Sequence, residues 1–374
     1  MLRTDGPGPL RRRGPRPLLM HLMHRMQPSP ALRSAWAGLN AGPPPIPTLL
    51  DPALLAGIAA YRRHPWQRDL PDPPTSWSEG GTRLLDFGRL DDPPVLFVPS
   101  LVNRAYVLDI LPDRSMMRWL AGQGVRPLLL DWGWPGPSER VFTLSDYVTG
   151  RLERAILAVG EAVVLAGYCM GGLLALAAAL RRPNRVRALA LLAAPWDFHA
   201  IDAAQAKRLG NSASIFEPLL TTTGTLPVDV LQALFAMPDP GAIAAKFRAF
   251  GRLDQTTAAA QSFVALEDWL NDGVPLAAPV ARQILVDWYG ANTPGRGAWR
   301  IAGAAVDPTA LAMPAFVAVP ARDRIVPPES AMALARLIPG AVLHQPAGGH
   351  IGMAAGSRAE AILWSPLLGW LRGL

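Results

Sequence analysis

Cysteine is almost absent: position 169 holds the only one in 374 residues. A single thiol excludes an internal disulfide framework and any cysteine-cluster metal or iron–sulfur site. Charge is also sparse, at 17% of residues against 50% hydrophobic, which excludes a fully disordered chain. There is no collagen-like period, although 39 prolines and 34 glycines imply many loops. No internal repeat stands out, and no long low-complexity tract lies beyond the first 50 residues. The length suits one large domain, or a domain with a substantial insertion, and is enough to bury a proper core.

The net charge of +7 first suggests a nucleic-acid partner, but its distribution argues against one. Residues 1–50 carry seven arginines (Arg3, Arg11, Arg12, Arg13, Arg16, Arg25, Arg33) against one acid, Asp5. The body of the chain is therefore almost neutral. An Arg/Pro-rich leader of this kind reads as a solvated tail, or as a contact for an acidic partner or anionic surface. After Arg11-Arg12-Arg13, residues 18–23 are apolar. That run is shorter than a signal-peptide core, is broken by His21, and lacks a nearby small-residue cleavage pattern. It reads as a short amphipathic segment. Residues 162–180 carry no charge and match a membrane span by length. Gly167, Tyr168, Cys169, Gly171 and Gly172 interrupt them, which predicts two elements joined by a tight turn and no transmembrane span.

A helical-looking piece covers residues 49–63. Short apolar runs then recur at 95–98, 127–131, 163–166, 188–192, 315–319 and 341–343, most of them ended by Pro or Gly. Helix-length segments lie between them, at 113–122, 144–157, 172–181 and 329–337. This alternation predicts an α/β fold whose mostly parallel sheet is covered by helices on both faces. The rhythm breaks between about 197 and 306, where aromatic, helix-like stretches replace strands. The expected organisation is an Arg/Pro-rich leader and N-terminal segment (1–75), a first part of the core (76–196), a helical cap or lid inserted before the acid-bearing strand (197–305), and a second part of the core (306–374). Ligands of open α/β sheets bind beyond the carboxyl ends of the strands, where such an insertion would act as a lid with open and closed positions.

The sharpest local signal is Val163-Val164-Leu165-Ala166-Gly167-Tyr168-Cys169-Met170-Gly171-Gly172-Leu173-Leu174. It reads as a strand, a G-x-C-x-G turn and an Ala/Leu helix. A strained strand-to-helix turn projects one nucleophile, and glycines two residues to either side let neighbouring backbone approach. The Met170 N–H at the helix start is then placed to stabilise an oxyanion. The bland alternative is a buried structural cysteine beside a helix-packing glycine pair.

A thiol nucleophile needs a base, and there are six histidines. His21 and His24 lie in the leader, His64 precedes the sheet, His199 opens the insertion and His344 ends the last strand. His350 follows Gly348-Gly349 in the loop after that strand, where an elbow fold carries its base; His199 is the runner-up. The acid belongs between nucleophile and base, after a strand. Asp323 fits, with Asp131 a weaker candidate and a surface ion pair with Arg322 or Arg324 the alternative. Cys169, Asp323, His350 is the chain order of the α/β-hydrolase fold. A second oxyanion donor is expected near Leu101-Val102, with Val102 N–H taken as the candidate. Nothing suggests a metal or a bound cofactor. A cysteine nucleophile under an apolar lid favours acyl transfer from a thioester over ester hydrolysis.

The chain resembles the polyhydroxyalkanoate synthase catalytic subunits, and among them the short class that requires a partner. The resemblance rests on Pro99-Ser100-Leu101-Val102-Asn103-Arg104-Ala105-Tyr106-Val107-Leu108-Asp109, Leu129-Leu130-Asp131-Trp132-Gly133 and Leu144-Ser145-Asp146-Tyr147-Val148. It continues through the Gly-Tyr-Cys-Met-Gly-Gly elbow, the stretch from Asp323 to Pro328, and Gly349-His350-Ile351-Gly352. Glu267-Asp268-Trp269 and Asp287-Trp288-Tyr289 are similar to that family's cap. The resemblance covers roughly residues 75–370. Departures from the pattern are Arg324 after the acid, where a member of this length often has His, Trp134-Pro135-Gly136 after the Trp-Gly pair, and the basic leader.

The resemblance implies an acyltransferase that polymerises an (R)-3-hydroxyacyl-CoA and releases coenzyme A, which is part of the substrate and not a cofactor. Cys169 would hold the growing chain and His350 would deprotonate the thiol. Asp323 would help activate the incoming hydroxyl, directly or through His350. It further implies a homodimer or hetero-oligomer with a second synthase subunit, and a cytoplasmic protein at the surface of a polyester granule. Two other functions remain open on the residues: a thioesterase or intracellular polyester depolymerase with the same Cys-His-Asp set, and a non-catalytic granule-associated binding protein.

Overall fold

The computed structural model describes residues 12, 14–18, 51–236 and 239–374. The other leader positions, including Arg3, Arg11, Arg13, Arg25 and Arg33 and the apolar segment beyond Leu18, lie outside the described residues. The described chain separates into two compact units. One holds the residues before 70 together with Asp229–Asp272. The other holds Leu70–Val228 and Gly273–Leu374.

The larger unit is built on an eight-stranded sheet: β1 (Thr75–Glu79), β2 (Thr82–Asp86), β3 (Pro94–Val98), β4 (Arg126–Asp131), β5 (Val163–Tyr168), β6 (Val186–Leu192), β7 (Ala315–Ala318) and β8 (Val342–His344). Their spatial order is β1-β2-β4-β3-β5-β6-β7-β8. β1 and β2 run antiparallel, β2 lies antiparallel to β4, and every other pairing is parallel. This is the α/β-hydrolase fold. β3 and β5 are buried at every residue, because a parallel sheet flanked by helices has no solvent face. Strands β3 to β8 fall on the six apolar runs. The β1–β2 hairpin does not announce itself in this way. It lies at the sheet edge, and most of β1 is exposed, so its sequence is polar: Thr-Ser-Trp-Ser-Glu.

Residues 162–180 resolve into β5 and the buried helix Met170–Arg181. No helix among the described residues is long and apolar enough to cross a membrane.

The register lines up the ends of five strands. Val98 pairs with Gly167, Tyr168 with Leu192, and Ala318 with both Leu192 and His344. The loops that leave β3, β5, β6, β7 and β8 therefore open at one edge, which is where this class of sheet places its site. Between β6 and β7 the chain is mainly helical, as expected: Ala203–Asn211, Ala213–Thr223, Val228–Ala236, Pro240–Phe250, Ala258–Asn271 and Ala278–Arg282.

The smaller unit pairs the helix Pro52–Arg63 with Pro240–Phe250. Asp51 caps the first helix by accepting from the Leu54 N–H at 3.0 Å, Pro52 opens it, and Arg62 and Arg63 sit at its negative end. Leu54, Ile58 and Tyr61 then bury against Ala244, Phe247, Phe250, Ala260 and Val264.

The leader differs here from the solvated tail expected of it. Arg12 is only 12% exposed and reaches Asp268 at 2.8 Å, with the His64 and Trp66 carbonyls as further acceptors. The Arg16 N–H donates to Asn271 Oδ1 at 2.9 Å. With a carboxylate and two carbonyls as acceptors, all three guanidinium nitrogens of Arg12 are bonded, so at this point the leader is held to the fold.

Candidate active site

Cys169 stands between β5 and the helix Met170–Arg181 at φ 56°, ψ −131°. A side chain rarely adopts a positive φ, and the surrounding backbone imposes it. The Cys169 N–H donates to the Leu192 carbonyl at 2.9 Å, and the Cys169 carbonyl accepts from the Gly172 N–H at 2.9 Å. The glycines are there because nothing larger fits. A Cβ on Gly167 would lie 2.4 Å from the Gly172 Cα, and one on Gly171 would lie 2.0 Å from the Val98 carbonyl oxygen. The elbow is thus clamped between β3, β6 and its own helix, and Cys169 keeps partial access to solvent.

The candidate acid and base, Asp323 and His350, follow the ends of β7 and β8. Asp323 follows β7, and its Oδ1 accepts from the Ile325 and Val326 N–H groups at 2.8 and 2.9 Å. Its Oδ2 lies 2.6 Å from His350 Nδ1, with both side chains buried. His350 opens the short helix His350–Ala355 after β8. With Nδ1 taken by Asp323, Nε2 remains for the sulfur. Burial works against a charged imidazole, but the Cys169 sulfur and the Asp323 carboxylate outweigh it and hold the His350 pKa well above its ordinary value. A negative charge on sulfur and a proton on His350 therefore stabilise each other.

The runner-up residues are engaged elsewhere. Asp131 is held by Arg83 at 3.0 Å and Arg104 at 3.3 Å, and accepts from the Gly133 N–H. His199 Nε2 lies 2.8 Å from the Tyr289 carbonyl oxygen.

For the oxyanion, Met170 is the first residue of its helix, so its N–H has no acceptor within the helix. The Val102 N–H points to Ser100 Oγ at 3.3 Å, a long bond, while the Val102 carbonyl accepts from the Val274 N–H at 3.0 Å. Ser100 itself lies against the Met170 sulfur at 3.9 Å.

Sequence reasoning gave no role to two further residues here. Tyr168 lies against the His350 ring, with centroids 5.1 Å apart, and its hydroxyl donates to the His350 carbonyl at 3.2 Å. The Tyr289 pKa is raised to about 12 by burial and by the charge of Cys169, which puts this residue of the Asp287-Trp288-Tyr289 motif within electrostatic reach of the sulfur. Among the described residues no cluster of three or more His, Cys, Asp or Glu is arranged to hold a metal ion.

The fold and this site define an α/β-hydrolase, and residues 93–356 match the α/β-hydrolase fold family. Among characterised relatives, the chain is 32% identical over 309 residues to the poly(3-hydroxyalkanoate) polymerase subunit PhaC of Haloferax mediterranei, covering 79% of this chain and 62% of that one. It is 30% identical over 292 residues to the PhaC subunit of Synechocystis sp., covering 74% of this chain and 77% of the relative. The chain belongs to the PhaC polymerase family. Among solved structures, a carboxylesterase from the thaumarchaeon Nitrososphaera gargenis superposes with a TM-score of 0.52 at 13% identity, over 80% of this chain and 98% of its own, which is a likeness of fold alone.

Proposed function

We propose that the chain is an acyltransferase that polymerises (R)-3-hydroxyacyl-CoA through a thioester on Cys169. The observation that carries the reading is a cysteine, in place of the usual serine, at a strained elbow beside a buried His350–Asp323 pair. His350 takes the thiol proton, and the sulfur attacks the thioester carbonyl of the substrate. The Met170 and Val102 N–H groups receive the oxyanion, the latter by exchanging its bond to Ser100. The carbon–sulfur bond to coenzyme A then breaks, and coenzyme A leaves as a thiol with the proton held on His350. The 3-hydroxyl of a second acyl group next gives its proton to His350 and attacks the Cys169 thioester, which forms the ester and frees the sulfur.

Both acceptor positions of Asp323 that the site uses are already filled, one oxygen by two backbone N–H groups and the other by His350. That occupancy favours action through His350 over direct contact with the hydroxyl. The relatives are named as polymerase subunits, which supports a second synthase subunit as partner of this chain. On this reading the product is an insoluble polyester, and the chain works at the surface of its granule in the cytoplasm.

The deciding experiment is coenzyme A release from 3-hydroxybutyryl-CoA with product analysis, run with and without a candidate subunit. Insoluble polyester is expected. Cys169→Ala should lower release by about 10⁴-fold or more. Free hydroxy acid as the sole product would assign a hydrolase, and loss of neither activity in Cys169→Ala would remove the thioester step.

A further inference from the structure

We propose that Tyr168 is a positioning residue for the base: its ring forms the floor on which the His350 imidazole rests, and its hydroxyl anchors the His350 backbone. The inference rests on the Cys169–His350–Asp323 reading and deepens it.

The imidazole is held from two directions. Asp323 grips its Nδ1 edge at 2.6 Å, while the Tyr168 ring lies under its face, with centroids 5.1 Å apart and planes inclined by 35°. That leaves Nε2 as the edge that faces the Cys169 sulfur. Tyr168 is 3% exposed and is the last residue of β5, paired in register with Leu192. Its backbone is therefore set by the sheet, one residue before the nucleophile. A single dipeptide, Tyr168-Cys169, carries both the attacking atom and the support of the base that serves it. The hydroxyl closes the link by donating to the His350 carbonyl at 3.2 Å across 182 positions of sequence.

An aromatic face favours a cation above it, so the ring stabilises the protonated imidazole that forms when sulfur becomes charged. Burial, followed by the negative charges of Cys169 and Asp323, keeps the Tyr168 phenol neutral and able to donate. The groups acting on His350 are Cys169 beside Tyr168 at the end of β5, and Asp323 from the loop after β7. Two other segments pack against its helix, and they carry Tyr106 and the solvent-exposed Glu360.

The test uses the full chain and does not depend on which reaction the site performs. Because Cys169 is the only thiol, alkylation by iodoacetate reports that sulfur alone. This anionic reagent reacts faster while His350 is protonated, so the rate falls on the alkaline side as the imidazolium loses its proton. Tyr168→Leu should move that alkaline limb down by about half to one pH unit, so that alkylation slows several-fold along the limb and little at neutral pH. Tyr168→Phe keeps the ring and should restore the limb. Tyr168→Met repeats the measurement should the Leu chain not fold. A folded Leu or Met variant with the parental profile overturns the proposal, as does a Phe variant shifted as far as the Leu variant. Failure to make polyester, with the predicted shifts intact, would count against the polymerase reading and leave Tyr168 in its role.

Discussion

The elbow of the larger unit and the core of the smaller one are both built on a glycine that meets a backbone carbonyl, yet they are held in different ways. At the elbow, Gly171 faces the carbonyls of Val98 and Pro99, and the neighbouring Gly167 and Gly172 lie against each other. What a Cβ on Gly167 or Gly171 would meet first is backbone throughout, at the end of β3 and in the first turn of the elbow helix. In the smaller unit, Gly57 faces the carbonyl of Phe247, but the two helices that cross there are held by side chains. Tyr61 lies edge-on to Phe247 at 5.6 Å, and Phe250 stacks on Phe263 at 4.2 Å. The sheet gives Cys169 its conformation with no freedom to relax, whereas helices packed through side chains can slide apart.

That contrast predicts unequal costs for the same substitution. Gly171→Ala places a methyl 2.0 Å from a carbonyl oxygen that cannot retreat, and should cost about 3–5 kcal/mol in denaturant unfolding or prevent folding altogether. Gly57→Ala places a methyl 1.9 Å from a carbonyl oxygen on a movable helix, and should cost about 1–3 kcal/mol. Equal losses in the two variants would erase the distinction.

A smaller effect probes how the helical unit is closed. Arg12 bonds Asp268, which also accepts from the Tyr61 hydroxyl at 2.8 Å, so one carboxylate joins the leader to the helices Pro52–Arg63 and Ala258–Asn271. Arg12→Ala leaves that carboxylate and two carbonyls short of a donor and should cost about 1–3 kcal/mol. Faster amide exchange along Pro52–Arg63 is the expected readout, and unchanged protection there would mean that the side-chain packing of the unit holds without the leader.

What the sequence made legible follows the same division. Strands β3 to β7 are visible as apolar runs because they are largely buried, β8 is apolar although Val342 and Leu343 are exposed, and the elbow is visible because its glycines and its cysteine lie within six residues. Asp323 and His350 follow from chain order, since each lies just past a recognisable strand. The β1–β2 hairpin escapes because its polar edge strand carries no apolar run. The smaller unit's core escapes because Leu54 and Phe247 lie on either side of strands β1 to β6 in the sequence, and helical period alone says which face is apolar but not what covers it. Arg12 is hidden for the same reason, as nothing local distinguishes it from the other leader arginines. Tyr168 occupies the unconstrained position of G-x-C-x-G, and its significance depends on His350, far along the chain.

Acidity separates the two regions without any change in packing. In the smaller unit, burial and then the charge of Asp268 push the Tyr61 phenol far above the ordinary tyrosine range, so its bond to Asp268 keeps its proton through neutral and mildly alkaline pH. At the active site, His350 is raised from 6.5 to about 10 by Cys169 and Asp323, against the opposing effect of its burial. A group whose folded pKa is raised contributes stability that is fully present below its unfolded pKa and is lost as pH rises through the folded one. The unfolding temperature should therefore fall between about pH 6.5 and about pH 10 by roughly 2–4 °C beyond the general alkaline trend. Cys169→Ala removes the strongest of the raising influences and should flatten that slope, so the two curves converge at the alkaline end. Parallel curves for the parent and Cys169→Ala would show that sulfur and imidazole do not share a proton in the folded chain. Arg12→Ala should lower both ends of the parental curve by the same amount, because Arg12 bonds to neither Cys169 nor His350.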